Sequence, residues 1–231
     1  MAIGRPGYYL IRMMKWLSRF ASVIACAWGA WQPSVALAAE EDVQLWVYAV
    51  ARGDFDEDTS WNLDASARWR EQARGDEQQT LRLNIDQQVT DGITLGGGFG
   101  VFETEGGNTE LRPHQQLTLS RGRFSARTRI EQRFFDGADR MELRVRQMVR
   151  YTQPLGPGWR ASIDVEFFHL AQTRDRMSDT ARDQWRARTI LTRQMSETLS
   201  LGVSYMMIYD PRPERVDRIN HVPQLYMTKR F

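Results

Sequence analysis

Apolar and polar side chains alternate with a period of two along most of the chain after residue 40. A clear case is 159–167, in which Trp159, Ala161, Ile163, Val165 and Phe167 alternate with Arg160, Ser162, Asp164 and Glu166. A period of two is typical of a β-strand whose two faces meet different surroundings. The pattern therefore predicts an all-β protein.

The alternating segments recur at a regular spacing. They lie near 43–51, 60–71, 79–89, 93–103, 110–120, 123–135, 140–151, 158–169, 184–195, 198–208 and 221–231. Each has roughly ten residues, the length of a tilted strand that crosses a bilayer. The segments between them alternate in length as well. Short turns at 90–92, 120–122, 154–158 and Ser196-Glu197 alternate with long polar connections at 72–78, 103–110, 170–183 and 209–220, and the corner 136–139 lies between.

Short turns on one side and long loops on the other are typical of outer-membrane barrels. The sequence therefore predicts a transmembrane antiparallel up-and-down β-barrel of 10–12 strands. Eleven segments is an odd number, whereas bacterial single-chain barrels have even numbers of strands. Two explanations stay open: 43–51 is not a regular spanning strand, or a strand is missed in a long connection.

Alternation alone does not decide which face is inside, because a lipocalin-like barrel with an apolar interior has the same pattern. A barrel of about eight strands can be filled by side chains or hold one small ligand, but one of ten or more is too wide. The apolar residues here are also large, as suits contact with lipid. We therefore expect the apolar face to point toward the membrane and the charged face to line the lumen.

The first 38 residues have the character of a secretory signal peptide. They carry four basic residues and no acidic one, an apolar run at 20–31, and the small-residue site Ala36-Leu37-Ala38. This order is typical of a cleaved leader. We expect cleavage near Ala38, a start at Met1 or at one of Met13 and Met14, and a mature barrel of residues 39–231 in the outer membrane.

Charge and cysteine content narrow the possible functions. The chain has 31 basic and 29 acidic residues, and without the four basic residues of 1–38 the balance is 27 against 29. The arginines alternate with acids and form no basic stripe, which argues against nucleic-acid binding. The only cysteine, Cys26, lies in the predicted leader, so we expect no disulfide and no thiol-based metal site in the mature chain.

The charged face is the candidate functional site. The hairpin around 136–139 and the strands after it predict a ladder of lumen charges: Arg127, Arg129, Glu131, Arg133, Glu142, Arg144, Arg146, Arg150, Arg160, Asp164, Glu166, Arg186 and Arg188. One hypothesis is that bidentate Arg–carboxylate pairs fill the lumen and fix the strand register. The other is a narrow passage whose arginines favour anionic solutes.

Candidate chemistry beyond these charges is sparse. None of His114, His169 and His221 has a serine two residues away, and the three do not form a metal-ligand spacing. The glycines of 95–100 suit a bend in the barrel wall better than a nucleotide site. We predict no catalytic, cofactor-binding or metal-binding residues, so a lipid-acting barrel hydrolase is the least favoured class.

The C-terminal aromatic residue, Phe231, is similar to the signal by which the outer-membrane assembly machinery recognises a last strand. The expected partners of the protein are therefore that machinery and the membrane lipids. The sequence leaves the solute or protein partner open.

Six short segments resemble one known family. They are QLWVYAV (44–50), LRPHQQL (111–117), RTRIEQRF (127–134), DVEFF (164–168), DQWRAR (183–188) and LGVSYM (201–206). They resemble the "domain of unknown function 2490" family of predicted Gram-negative outer-membrane β-barrels. The resemblance implies an outer-membrane location and no catalytic residue. The functional hypotheses are a channel or passive transport barrel with an arginine-rich lumen and, as an alternative, a structural or envelope-interaction barrel with a charge-filled lumen.

Overall fold

A computed structural model describes residues 39–70, 77–107, 109–177, 184–212 and 215–231. The predicted signal peptide, 1–38, lies outside the described residues. No helix among the described residues is long and apolar enough to cross a bilayer.

The described chain is built of β-strands. They are β1 (Glu40–Val43), β2 (Leu45–Asp54), β3 (Thr59–Trp69), β4 (Gln78–Thr90), β5 (Ile93–Thr104), β6 (Glu110–Arg121), β7 (Phe124–Phe135), β8 (Glu142–Gly156), β9 (Trp159–Gln172), β10 (Gln184–Gln194), β11 (Leu199–Asp210) and β12 (Arg218–Arg230). Strands β2 to β12 correspond to the eleven predicted segments, which confirms the strand pattern. The short β1 was not predicted.

Consecutive strands from β2 to β12 pair in antiparallel fashion, and the sheet closes on itself where β12 pairs with β2. That closing pair is parallel, with Gln224 opposite Trp46. Strand β1 pairs with the first part of β12, so β1 and β2 follow one another along the same partner. The described wall is thus a closed barrel of eleven strands, and closure leaves no unpaired sheet edge.

The barrel class and the range of 10–12 strands are confirmed, but the expectation of an even number was wrong. Residues 45–54 form a full strand of the wall. An odd count is possible because the first strand runs in the same direction as the last. An up-and-down sheet with an odd number of strands can close only through one parallel pair, since its first and last strands point the same way.

The two ends of the barrel differ in their connections. At the tight-turn end lie the turns 55–58, 91–92, 122–123, 157–158 and 195–198, together with the C-terminus. At the long-loop end lie the connections 70–77, 105–109, 136–141, 173–183 and 211–217. Three of the tight turns use glycine in the left-handed region, with φ of 77° at Gly92, 59° at Gly122 and 73° at Gly158, where a side chain would be strained.

The burial pattern is reversed relative to a soluble protein. Apolar side chains such as Leu81, Ile163 and Val203 are more than half exposed on the outer face. Acidic side chains such as Asp64 and Glu166 are buried on the inner face. A continuous exposed apolar wall is stable only against lipid, because in water it would be a large aggregation surface. The outward apolar face thus fits a membrane-spanning barrel.

Candidate functional site in the barrel lumen

The inner face encloses a cavity of about 810 Å³ that follows the barrel axis. Its lining runs from Asp54 and Thr228 at the tight-turn end to Asp210 and Arg218 at the long-loop end. Fourteen arginines but only seven acidic residues line it. Arginines thus predominate among the charged residues that line the cavity.

Strands β6 to β9 carry a dense set of ion pairs, which we call the ion-pair wall. Its centre is Glu131, whose side chain is 1% exposed. Glu131 accepts bonds from Arg144 Nη2 at 2.5 Å and Arg146 Nη1 at 2.6 Å, and Arg129 Nη1 lies 3.8 Å away. A carboxylate so deeply buried is stabilised only when several donors surround it.

A second carboxylate, Glu166 on β9, extends this network. Arg146 donates to both of its oxygens, at 3.0 and 2.8 Å, and Arg127 Nη2 donates to Oε1 at 2.8 Å. Arg146 therefore bridges Glu131 and Glu166 across β7, β8 and β9. One guanidinium with two carboxylates fixes the relative register of three strands, because its five N–H donors lie in a rigid plane.

Further ion pairs lie at the two edges of the ion-pair wall, on β6 and β9. At the long-loop end Glu110 accepts bonds from Arg112 and from Arg133, each at 2.6 Å, and Arg133 also pairs with Glu142. On β9 Asp164 accepts bonds from two further arginines. These are Arg150 Nη2 at 2.8 Å and Arg188 Nη2 at 3.0 Å.

A second arrangement, the arginine–aromatic belt, crosses the long-loop half of the lumen. We define it by Trp46, Phe102, Phe168, Arg68, Arg112 and Arg186. The three rings are at most 5% exposed. A guanidinium carbon lies close to the centroid of each ring. The distances are 3.6 Å from Arg112 to Phe102, 4.2 Å from Arg68 to Trp46, and 4.2 Å from Arg186 to Phe168. Such cation–π stacking contributes about 0.5–2 kcal/mol per contact.

The belt joins strands that are far apart in the wall. Arg68 also lies 5.6 Å from the Phe102 ring, and Arg186 lies 5.9 Å from the Trp46 ring. The contacts thus run from β6 through β5, β3 and β2 to β10 and β9. The belt thus sets three guanidinium groups against aromatic rings on the inner face.

The glycines of β5 make room for the neighbouring strands β4 and β6. A Cβ on Gly96 would lie 1.9 Å from Asp86 Oδ1, and one on Gly98 would lie 2.2 Å from the carbonyl oxygen of Leu83. His114, from β6, packs over Gly98 and makes a 2.7 Å bond to Asn84. Close approach of neighbouring chains thus accounts for this glycine run.

The predicted ladder residues lie on the inner face in different roles. Nine line the cavity: Arg127, Arg129, Arg133, Arg144, Arg146, Asp164, Glu166, Arg186 and Arg188. Glu131 and Glu142 are buried beside their arginines, and Arg150 bonds Asp164. Arg160 is exposed near the tight-turn end. Across the hairpin Arg133 pairs in register with Glu142 and Glu131 with Arg144, whereas Arg127 lies opposite Met148.

Sequence reasoning missed the belt and the charges of β3, β4 and β6, such as Arg68, Arg82 and Glu110. A signal for the belt is present. Trp46 and Phe168 are bulky aromatic residues in the inward phase of their strands, and Phe168 shares that phase with Asp164 and Glu166. A large ring among charges on one face indicates a contact within the lumen.

The three histidines lie apart. His114 is inside the barrel, whereas His169 packs against Phe167 and His221 bonds Tyr205 on the outer face. Among the described residues no group of three His, Cys, Asp or Glu side chains has the geometry of a metal site.

Comparison with known structures identifies the fold. The NanC porin is similar with a TM-score of 0.51 at 10% sequence identity, over 72% of this chain and 86% of that one. The KdgM porin aligns with a TM-score of 0.46 at 12% identity, over 69% and 81% of the two chains. No protein of curated function matches the sequence. The similarity to the NanC porin supports a porin-like barrel fold and no particular solute.

A family model described as "Protein of unknown function (DUF2490)" matches residues 43–220. The match runs from the end of β1 into β12, so it includes nearly the whole described barrel. It confirms the resemblance found in the six short segments. The chain belongs to the DUF2490 family, and it folds as a porin-like outer-membrane β-barrel.

Proposed function

We propose that the protein is a narrow outer-membrane channel that favours small anionic solutes. The observation that carries the proposal is the lining of the 810 Å³ cavity, in which arginines outnumber acidic residues two to one. Positive charge in a confined passage with low-dielectric walls raises the local concentration of anions and lowers that of cations. Fixed arginine charge thus supplies selectivity without a binding step for every ion.

The position of the ion pairs supports a passage rather than a filled lumen. Arg144 and Arg146 are drawn against the wall by Glu131, which is itself almost completely buried. Side chains held at the wall by ion pairs favour a lumen that is narrowed rather than filled.

The test is electrical. The full-length barrel, refolded in detergent and inserted into a planar bilayer, is expected to conduct in steps, and its reversal potential in a tenfold KCl gradient is expected to have the sign of chloride selectivity. Raising the salt concentration should weaken the selectivity, because the Debye length falls from about 10 Å at 0.1 M to about 3 Å at 1 M. Heat-unfolded protein in the same detergent is the control. Absence of conductance at every voltage, or cation selectivity, would contradict the proposal.

A structural or envelope-interaction barrel is the second candidate, and contacts at the two described ends of one long connection, 211–217, favour it. The Tyr209 hydroxyl of β11 donates to Asp217 at 2.5 Å, the Arg212 backbone donates to Asp217 at 2.9 Å, and the Arg212 side chain pairs with Glu40 of β1 at 3.0 Å. A braced loop can present a fixed surface. Replacing 211–217 with a short Gly-Ser linker should then raise the detergent sensitivity of cells while leaving conductance unchanged.

Export and assembly form part of the proposal. We infer that residues 1–38 are removed near Ala38 and that the assembly machinery recognises the last strand through Phe231. N-terminal sequencing of the membrane-extracted protein should begin near Ala39. Removing Phe231 should reduce the heat-modifiable, folded form on unboiled gels, and an unchanged folded fraction would refute a role for this residue.

A further inference from the structure

Two arginines of the belt, Arg68 and Arg186, differ in their electrostatic partners from the arginines of the ion-pair wall. Arg68 on β3 and Arg186 on β10 both line the cavity. Among the described residues, no carboxylate lies within salt-bridge distance of either. The nearby acids already have partners: Asp64 pairs with Arg82, and Glu166 pairs with Arg127 and Arg146.

Each of these two guanidinium groups lies over an aromatic ring of the belt. Arg68 lies directly opposite Trp46 in register and stacks on its ring at 4.2 Å. Arg186 stacks on Phe168 at 4.2 Å and lies 5.9 Å from the same Trp46 ring. Stacking occupies the flat face of the guanidinium and leaves the in-plane N–H donors available.

Few of those donors are used within the described structure. Arg68 donates Nη1 to Gln78 Oε1 at 3.0 Å, and its Nε is buried without a hydrogen-bond partner. Arg186 donates Nε to Gln184 Oε1 at 2.7 Å. An arginine has five N–H donors; the buried Nε of Arg68 and the Nε of Arg186, which binds Gln184, are not available to a solute, so the donors that remain are on the terminal nitrogens of both side chains.

We infer that Arg68 and Arg186 form an oxyanion-binding subsite beside Trp46. It would take a carboxylate, phosphate or sulfate group of a small solute. A desolvated cation without a counter-charge is unfavourable, and an incoming oxyanion supplies both the charge and the acceptors. Contact with the same Trp46 ring brings both guanidinium groups within reach of one solute. The inference rests on the proposed channel only in that solutes reach the site through the lumen.

Direct binding to the folded barrel tests the subsite. Full-length protein folded in an uncharged detergent is titrated by calorimetry with inorganic phosphate, sodium acetate and sodium sulfate in separate experiments. Saturable binding is expected for at least one anion, and the arm with the highest affinity identifies the preferred group. Arg68→Gln and Arg186→Gln are each expected to weaken it about tenfold or more, since each removes a charge-assisted contact.

Arg52→Gln is the matched control. It removes the same charge from the same cavity, at the tight-turn end of β2 and away from Trp46. Binding in this variant should stay within about twofold of the wild type. Should a glutamine variant fail to fold on unboiled gels, Arg68→Lys and Arg186→Lys replace it. Lysine keeps the charge but loses the planar fork, so weaker binding is again expected.

The outcomes separate this inference from the proposed function. Binding that Arg52→Gln weakens as much as Arg68→Gln would reflect overall charge and would overturn the subsite. Conductance with chloride selectivity but without saturable binding would also overturn it, and the channel would stand. Saturable binding lost in the Arg68 and Arg186 variants, in a barrel that does not conduct, would support the subsite and refute the channel.

Discussion

The ion-pair wall and the surroundings of Trp46 use the same residue type in opposite ways. On β6 to β9 Arg127, Arg144 and Arg146 are each bonded to Glu131 or Glu166, and the carboxylates are more deeply buried than the arginines. Beside Trp46, Arg68 and Arg186 have ring faces and glutamine side chains as partners. Arginine thus is paired with carboxylates in one region and has no carboxylate partner among the described residues in the other.

The difference teaches that an arginine-rich lumen is not uniformly anion-binding. A paired guanidinium has little field left for a solute, because its carboxylate cancels it at a few ångströms. An unpaired one keeps its full charge and is exposed to the cavity. The number of arginines therefore overstates the binding capacity of the lumen, and the partners of each arginine decide it.

Removing Glu131 should have the largest effect on stability. Glu131→Gln leaves Arg144 without its carboxylate and deprives Arg146 of one of two, inside a buried network. We expect the free energy of unfolding to fall by about 3–5 kcal/mol. Urea unfolding of the folded barrel in lipid vesicles, followed by tryptophan fluorescence, measures it. A loss below about 1 kcal/mol would mean that the ion-pair wall is not structural.

Substitution in the glycine run of β5 should have the next largest effect. Along the sheet, β5 lies between β2, which carries Trp46, and the ion-pair wall on β6 to β9. A Cβ at Gly98 meets the Leu83 carbonyl at 2.2 Å, so the backbone must shift. We expect Gly98→Ala to cost about 1–3 kcal/mol in the same assay. The matched control is Gly97→Ala on the outer face, where the nearest atom is 3.4 Å away. Equal losses in the two variants would refute the space argument.

An exposed pair at the tight-turn end should matter less than the ion-pair wall. Asp54 and Arg230 pair at 2.6 Å, but their side chains are 48% and 61% exposed. We expect Asp54→Asn to cost only about 0.2–1 kcal/mol, because solvent screens the interaction. Unfolding curves of Asp54→Asn and Glu131→Gln together compare the loss in free energy of unfolding for an exposed ion pair with that for a buried one in the same barrel.

The smallest effect is expected beside Trp46. Arg186→Gln removes a cation that has no carboxylate partner among the described residues, so the free energy of unfolding should not fall by more than about 1 kcal/mol and can rise. Arg188→Gln, two residues further along β10, removes a partner of Asp164 and should cost more. If Arg186→Gln were the more damaging variant, Arg186 would be a structural residue and the contrast between the two regions would fail.

Sequence reasoning predicted the strands well because each carries its own information. A period-two pattern such as that of 159–167 predicts a strand, its length and its two faces without reference to any other part of the chain. It failed on the parity of the barrel. Whether 45–54 pairs with β12 in parallel is a property of closure, and no local pattern in either strand encodes it.

The predicted ladder residues were found by the same local phase, and the structure places them on the inner face. That the charges of β7 face those of β8 across the corner 136–139 followed from the pattern, because a short corner nearly determines which residues lie opposite one another; the individual pairs are given only by the structure. The belt was missed because Arg68, Phe102 and Phe168 lie on strands that are not adjacent. Their contacts arise only when the wall closes around a common axis.

The sequence by itself determined the class of the barrel, the face that meets lipid and the family, since all three depend on alternation and short segments read in order. The tertiary structure alone decided which arginines are neutralised and which are free. The physical reason is distance: an ion pair needs its atoms within about 4 Å, and atoms from strands as remote in sequence as β3 and β10 reach a common ring only across a closed lumen.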